Sequence, residues 1–168
     1  MKCETCGLEM VERHATGSTP YAYTVSGLKN VYLEGISIFQ CGACGEEVPV
    51  IPRVGELHQL VARSLVKKEG LLSGDEIRFL RKNAGFQASE FAALMGVSAT
   101  YFSKVENGRL RLGLGSDKLV RLLSTADEKH RGLLLEIAKD LLPTKTHKGS
   151  IRKPVFKLEK NRWLQAVA

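Results

Sequence analysis

No stretch of this sequence approaches the roughly 18 consecutive apolar residues that a membrane-spanning helix needs. Its first residues, Met1-Lys2-Cys3-Glu4, lack the apolar core of a secretory signal. Both absences point to the cytoplasm and away from a membrane. The chain also has no phosphate-cradling glycine loop, no H-E-x-x-H pair and no hydroxyl, imidazole and carboxylate spaced to assemble a nucleophile. Its four histidines (His14, His58, His130 and His147) stand at no ligand spacing to one another or to cysteine, so they are expected on the surface. With no carrier for chemistry, the chain is expected not to be an enzyme.

Cysteine is scarce but concentrated. All four cysteines fall in two C-x-x-C-G motifs, Cys3-Glu4-Thr5-Cys6-Gly7 and Cys41-Gly42-Ala43-Cys44-Gly45. Two residues between thiols let a tight turn aim both sulfurs at one ion, and the following glycine lets the backbone turn its N–H groups toward them. Each pair is half of a tetrahedral site, and the two meet only if the 34 residues between them fold back. Together Cys3, Cys6, Cys41 and Cys44 are expected to hold one structural Zn2+, a closed site with no open position for water. The competing reading is redox, either pair alone serving as a dithiol couple, although such a motif usually comes singly in a βαβ setting. The intervening chain is β-prone at Tyr21–Val25, turns at Ser26-Gly27, alternates loosely over Lys29–Leu33 and resumes at Ile36–Phe39. Residues 1–53 therefore form a small metal-stapled β domain, since so small a core is marginal without a staple.

From Pro52 the periodicity changes. Leu57, Leu60, Val61 and Leu65 recur at helical spacing and predict a linker helix over about 55–69, ending at Gly70. It spans most of a linker at 54–72 and could pack on either domain. Ser73-Gly74-Asp75-Glu76 is a capping box, with Leu72 and Ile77 as its staple, and opens the next helix. Helices follow over Phe86–Met95 and from Ser98 to Gly108; a fourth is capped by Ser116, and a fifth opens at the Thr125-Ala126-Asp127-Glu128 box and runs to Pro143. Five helices within 73–142 make one compact all-α domain, so the fold class is α+β.

The stretch from Val97 to Gly108 reads as the second half of a helix-turn-helix. Ser98 caps it, Val97 and Phe102 staple its entry, and Phe102 with Val105 faces inward while Thr100, Tyr101 and Lys104 share the outer side. The charge is arranged to match. Of the net +7, the tail from Pro143 holds +6, with Lys145, Lys148, Arg152, Lys153, Lys157, Lys160 and Arg162 against Glu159 alone. A basic centre and tail fit a polyanion such as nucleic acid. The tail, residues 143–168, also carries Val155-Phe156 and Trp163-Leu164, and is expected to be either an arm docking on a partner subunit or a basic helix on DNA.

Gly85-Phe86, Glu90-Phe91-Ala92, Leu94-Met95-Gly96-Val97-Ser98 and Phe102-Ser103-Lys104-Val105-Glu106-Asn107-Gly108-Arg109 resemble the repressor-type (XRE, Cro/C1) helix-turn-helix. Joined to the paired C-x-x-C-G motifs, residues 1–142 resemble the YgiT-type zinc-finger/helix-turn-helix regulators, the MqsA-like antitoxin family. That resemblance implies a structural zinc domain that engages a toxin and a helical domain that dimerises and binds operator DNA, with Thr100 and Lys104 at the base-reading positions. Ala88 stands where such repressors usually have glutamine, and Gln87 where they prefer a serine or threonine cap.

The DNA-contacting set is thus expected to be Gln87, Ser98, Ala99, Thr100, Tyr101, Ser103, Lys104, Asn107 and Arg109, with Leu133, Leu134, Ile137 and Leu141 at a homodimer seam. Three functions follow from these readings. The first is a transcriptional repressor reading double-stranded operator DNA as a dimer. The second is a type II antitoxin that neutralises a toxin through its zinc domain and represses its own operon. The third is an interaction adaptor with a vestigial motif.

Overall fold

A computed structural model describes residues 1–126, 128–141, 155–159 and 162–166. The N-terminal part is built on a three-stranded antiparallel sheet, β1 (Met10–His14), β4 (Ser37–Cys41) and β5 (Glu47–Val50), with β4 in the centre. Met10 pairs with Cys41 and Phe39 with Val48. Between β1 and β4 lie a two-stranded ribbon, β2 (Tyr21–Ala22) with β3 (Tyr32–Leu33), and a single 3-10 turn at Thr24–Ser26 closed by Gly27 at φ +79°. The expected strand at Tyr21–Val25 is therefore only half strand: its second half turns, and the Ser26 hydroxyl donates to the Tyr23 carbonyl at 2.6 Å to hold that turn. Strands β1 and β5 escape the sequence pattern because Met10–His14 carries two charges and β5 contains Pro49. A proline is tolerated there because β5 is an edge strand.

Six helices follow: α1 (Val54–Lys67), α2 (Gly74–Asn83), α3 (Ala88–Leu94), α4 (Ala99–Glu106), α5 (Leu114–Leu123) and α6 (Glu128–Leu141). The α2 capping box forms as expected, the Ser73 hydroxyl accepting from the Glu76 N–H and the Glu76 carboxylate from the Ser73 N–H. Ser116 does not cap α5. The cap lies three residues earlier, at Gly113, leaving Ser116 inside the first turn of the helix. Asp127, in the box expected to open α6, lies outside the described residues, as do Pro143 and most of the tail. Within the tail the described segments are two strands, β6 (Val155–Glu159) and β7 (Arg162–Ala166), paired antiparallel, so over these residues the expectation of a basic helix is corrected to paired strands.

The linker helix serves both halves. Leu57 near its start packs on the β-domain cluster of Ala15, Tyr21, Tyr23, Leu33 and Ile38, while Ala62, Val61, Leu65 and Val66 join the helical core; Leu60 stays exposed. Leu28, from the loop after the 3-10 turn, is buried in that same helical core with Phe79, Phe91 and Phe102. His58 is half-buried at this junction, contrary to the surface position expected of it. Its Nε2 lies 3.0 Å from the Tyr23 hydroxyl, its ring stacks on Tyr23, and it meets Phe79 of α2 edge-on. The end of α1 is fastened by Arg121 of α5, whose guanidinium donates to the carbonyls of Val66 (2.9 Å), Lys68 (2.7 Å) and Gly70 (2.6 Å) while pairing with Asp117 at 2.7 Å. Asp117 is buried and also accepts from the Leu72 N–H.

Candidate metal centre and nucleic-acid interface

The two C-x-x-C-G motifs fold into matching loops. In the first, the Cys3 N–H donates to Leu8 O and the Gly7 N–H to Cys3 O; in the second, the Cys41 N–H donates to Glu46 O and the Gly45 N–H to Cys41 O. Gly7 and Gly45 adopt φ of +74° and +76°, a conformation that costs a side-chain-bearing residue about 1 kcal/mol or more. Strand pairing of β1 with β4 brings the loops together, and all four sulfurs lie within 4.8 Å of one another. Sulfurs approach closely across the motifs, Cys3 to Cys44 at 3.5 Å and Cys6 to Cys41 at 3.4 Å. A redox couple would close within one motif, whereas sulfurs on a tetrahedral ion with about 2.3 Å bonds stand about 3.8 Å apart. The cluster fits a metal.

Electrostatics agree. N–H groups of Cys44 and Ala43 aimed at the Cys41 sulfur hold its thiol down at about 6. Although the Glu46 N–H favours its thiolate, Cys44 is pushed up to about 12 by the neighbouring Cys3 and Cys41 sulfurs. Cys6 is likewise raised: the Leu8 N–H favours its thiolate, but the hydrogen bonds with Cys41 and Cys3 and the loss of solvent together outweigh it. Four thiols in this space cannot all ionise alone, and a doubly charged cation supplies the missing compensation. Cys3 and Cys41 are buried and Cys6 and Cys44 exposed, so the ion would sit at the rim of the sheet. Glu46, accepting from Thr5 and Cys3, is a neighbour that the cysteine spacing did not reveal.

On the helical side, Ser98 caps α4 by accepting from the Tyr101 N–H at 3.1 Å. Phe102 and Val105 are buried against Phe91 and Ala92 of α3. Ala99, Thr100, Ser103, Lys104 and Asn107 are all exposed and, at successive spacings of one and three, form one continuous outer stripe. Gln87, which begins α3, and Arg109, just past Gly108, are exposed at its flanks. Two members of the expected set are placed differently. Tyr101 is half-buried, its ring lying against the core. Asn107 spends its amide internally, donating to the Ser103 carbonyl at 2.8 Å and accepting from Arg78 at 2.7 Å, which closes the end of α4.

Beneath the stripe lies a pair that the sequence reading did not find. Glu106, buried, accepts from Arg81 Nε at 2.8 Å and Nη2 at 3.1 Å, and Arg81 donates in turn to the Phe86 carbonyl. Together they lock the end of α4 to α2 and to the turn before α3. Of the expected dimer residues, Leu133 and Ile137 are exposed on α6, while Leu134 is half-buried and packs, with Leu135, against its own helical core. The side chain of Leu141 lies outside the described residues.

No helix among the described residues is long and apolar enough to cross a membrane. A comparison with curated proteins returns no match. The family model described as the antitoxin component of the bacterial toxin-antitoxin system, MqsA, matches residues 1–138. With a four-cysteine β domain followed by a helical part over the matched span, the chain belongs to the MqsA antitoxin family.

Proposed function

We propose that this chain is a cytoplasmic, sequence-specific DNA-binding repressor that reads operator DNA as a homodimer and carries one structural Zn2+ on Cys3, Cys6, Cys41 and Cys44. The observation that carries the DNA reading is the outer stripe of α4, solvent-exposed and bearing Lys104, with exposed Arg109 just beyond it, over a face that is fully buried. Thr100 and Lys104 would meet base edges, the N–H groups at the Ser98 cap would meet phosphate, and Arg109 and Arg111 would add charge beside them. Two copies would place their α4 helices in successive major grooves, with half-site centres about 34 Å apart. Exposed Leu122, Leu133 and Ile137 on α5 and α6 support a seam between copies. Zinc follows from the donor set, since four thiolates in tetrahedral array suit it and leave no site for bound water. No step in this role requires catalysis.

Lys104→Ala is expected to weaken operator binding by about 1 to 3 kcal/mol and relax sequence preference at one position. Arg109→Ala should weaken every sequence alike. Fragments selected from the source genome supply the operator, and an electrophoretic or anisotropy titration reads both variants. Equal loss on operator and random DNA for Lys104→Ala would overturn the assignment of that residue.

The family match favours a second role beside the first, neutralisation of a cognate toxin through the β domain. A small reading frame next to this gene, toxic alone and harmless when co-expressed with this chain, is the expected outcome. Rescue that persists when the β domain is deleted would reject that route.

A further inference from the structure

A cavity of about 1000 Å³ opens between α1, the C-terminal turns of α2 and α5, and the start of α6. Arg63 and Lys67 line it from α1, Lys82 from α2 and Arg131 from α6, and among the described residues no aspartate or glutamate does. Neither α3 nor α4 contributes to it, so it is separate from the stripe assigned to DNA. Two carboxylates on the neighbouring helices are paired elsewhere, Glu76 of α2 with Lys68 and Asp117 of α5 with Arg121. Asp75 lines the smaller neighbouring cavity, with Arg78 and Lys82.

Lys67 and Lys82 occupy last turns of their helices, where a cation answers the helix dipole. That explanation is weak for Lys67, because Arg121 already satisfies the α1 carbonyls, and it fails for the other two. Arg63 lies a turn earlier, and Arg131 sits near the N-terminus of α6, the unfavourable end for a cation, held by a 2.8 Å bond to the Gly85 carbonyl. Two cations on the linker helix thus face two on the helical domain across a concave space of small-ligand size. Like charges so placed repel, and an anion between them turns repulsion into a clamp. Guanidinium forks and ammonium groups together suit phosphate oxygens.

We propose that this cavity is a binding site for a small polyphosphorylated anion, which fixes α1 against the helical domain. Such a ligand binds the native state alone and so raises the unfolding temperature. The proposal stands apart from the DNA reading. To test it, the full chain is titrated at physiological salt with inorganic tripolyphosphate and with a magnesium-free nucleoside triphosphate. Calorimetry and thermal unfolding are followed, with metal content measured before and after so that chelation is not mistaken for binding. One site per chain is expected, with a raised unfolding temperature and affinity at least tenfold lower in the Arg63→Gln/Lys67→Gln variant. These two residues are exposed, so the variant folds, and Lys118→Gln should bind as the wild type does. Equal affinity for the two probes means that the phosphate chain alone is recognised, and tighter binding of the nucleotide means that its base also enters; both support the site. Absence of saturable binding, several ions per chain, or equal weakening by Lys118→Gln overturns it. So does a short DNA duplex that displaces tripolyphosphate and is itself the ligand lost in Arg63→Gln/Lys67→Gln.

Discussion

Glu106 lies in the segment that most resembles a DNA-reading motif, yet its work is internal. Its carboxylate is buried against the fork of Arg81, so removing one partner leaves the other as an uncompensated charge. Glu106→Ala is expected to destabilise the folded chain by about 3 to 5 kcal/mol, read as a lowered denaturant midpoint at unchanged slope. Arg81→Met combined with Glu106→Leu should recover much of that loss, because both charges then leave together. If the single variant unfolds like wild type, the pair is not the lock on α4 inferred from its geometry. Spacing alone could not expose this contact: the partners are 25 residues apart, and charged residues are by default expected at the surface. The thiol cluster was legible for the opposite reason, since its ligands declare themselves by local spacing and by the glycine that follows each pair.

At the scale of elements, legibility follows how local the determinants are. Helices α2 and α4 begin where Ser73 and Ser98 predict, because a cap is a contact over three residues. Strands β1 and β5 have no such signature; they are strands because β4 offers its two edges to them. The same holds for α5, whose N-cap, Gly113, has no side chain to signal it, while the more obvious Ser116 lies inside the first turn. Gly74 shows a determinant of the non-local kind inside a local motif. A Cβ there would stand 2.4 Å from the Val105 carbonyl oxygen and 2.7 Å from that of Glu106, so α2 can approach the end of α4 only through glycine. Gly74→Ala should therefore cost about 1 to 3 kcal/mol even though alanine is the better helix former. It should also disturb the presentation of Lys104, measurable as weaker operator binding at temperatures where the variant is still folded. A gain in thermal stability would show that the crossing relaxes freely.

For the whole molecule the decisive trait is that the metal-binding part and the helical part are not independently closed. Leu28 is buried in the helical core, and Tyr23 holds His58 of α1 against Phe79 of α2. Chelation should therefore do more than loosen the β domain: withdrawing Leu28 removes a buried side chain from the helical core. The expected result is loss of β-sheet signal together with a lower unfolding temperature for the helices, in one scan followed by circular dichroism. Leu28→Ala with metal retained should reproduce the second effect without the first, at a cost of about 2 to 5 kcal/mol. Helices that melt at the same temperature with and without metal would mean that the shared core carries no coupling.

The shared core also limits how such a protein can be recombined. A cut at Pro52, where composition and periodicity change, looks like a seam between modules, but a β domain taken from a relative arrives with its own residue at the Leu28 position and its own partner for His58. Exchange therefore works only when the plug and the socket travel together, so that selection acts on the two halves as one inherited unit.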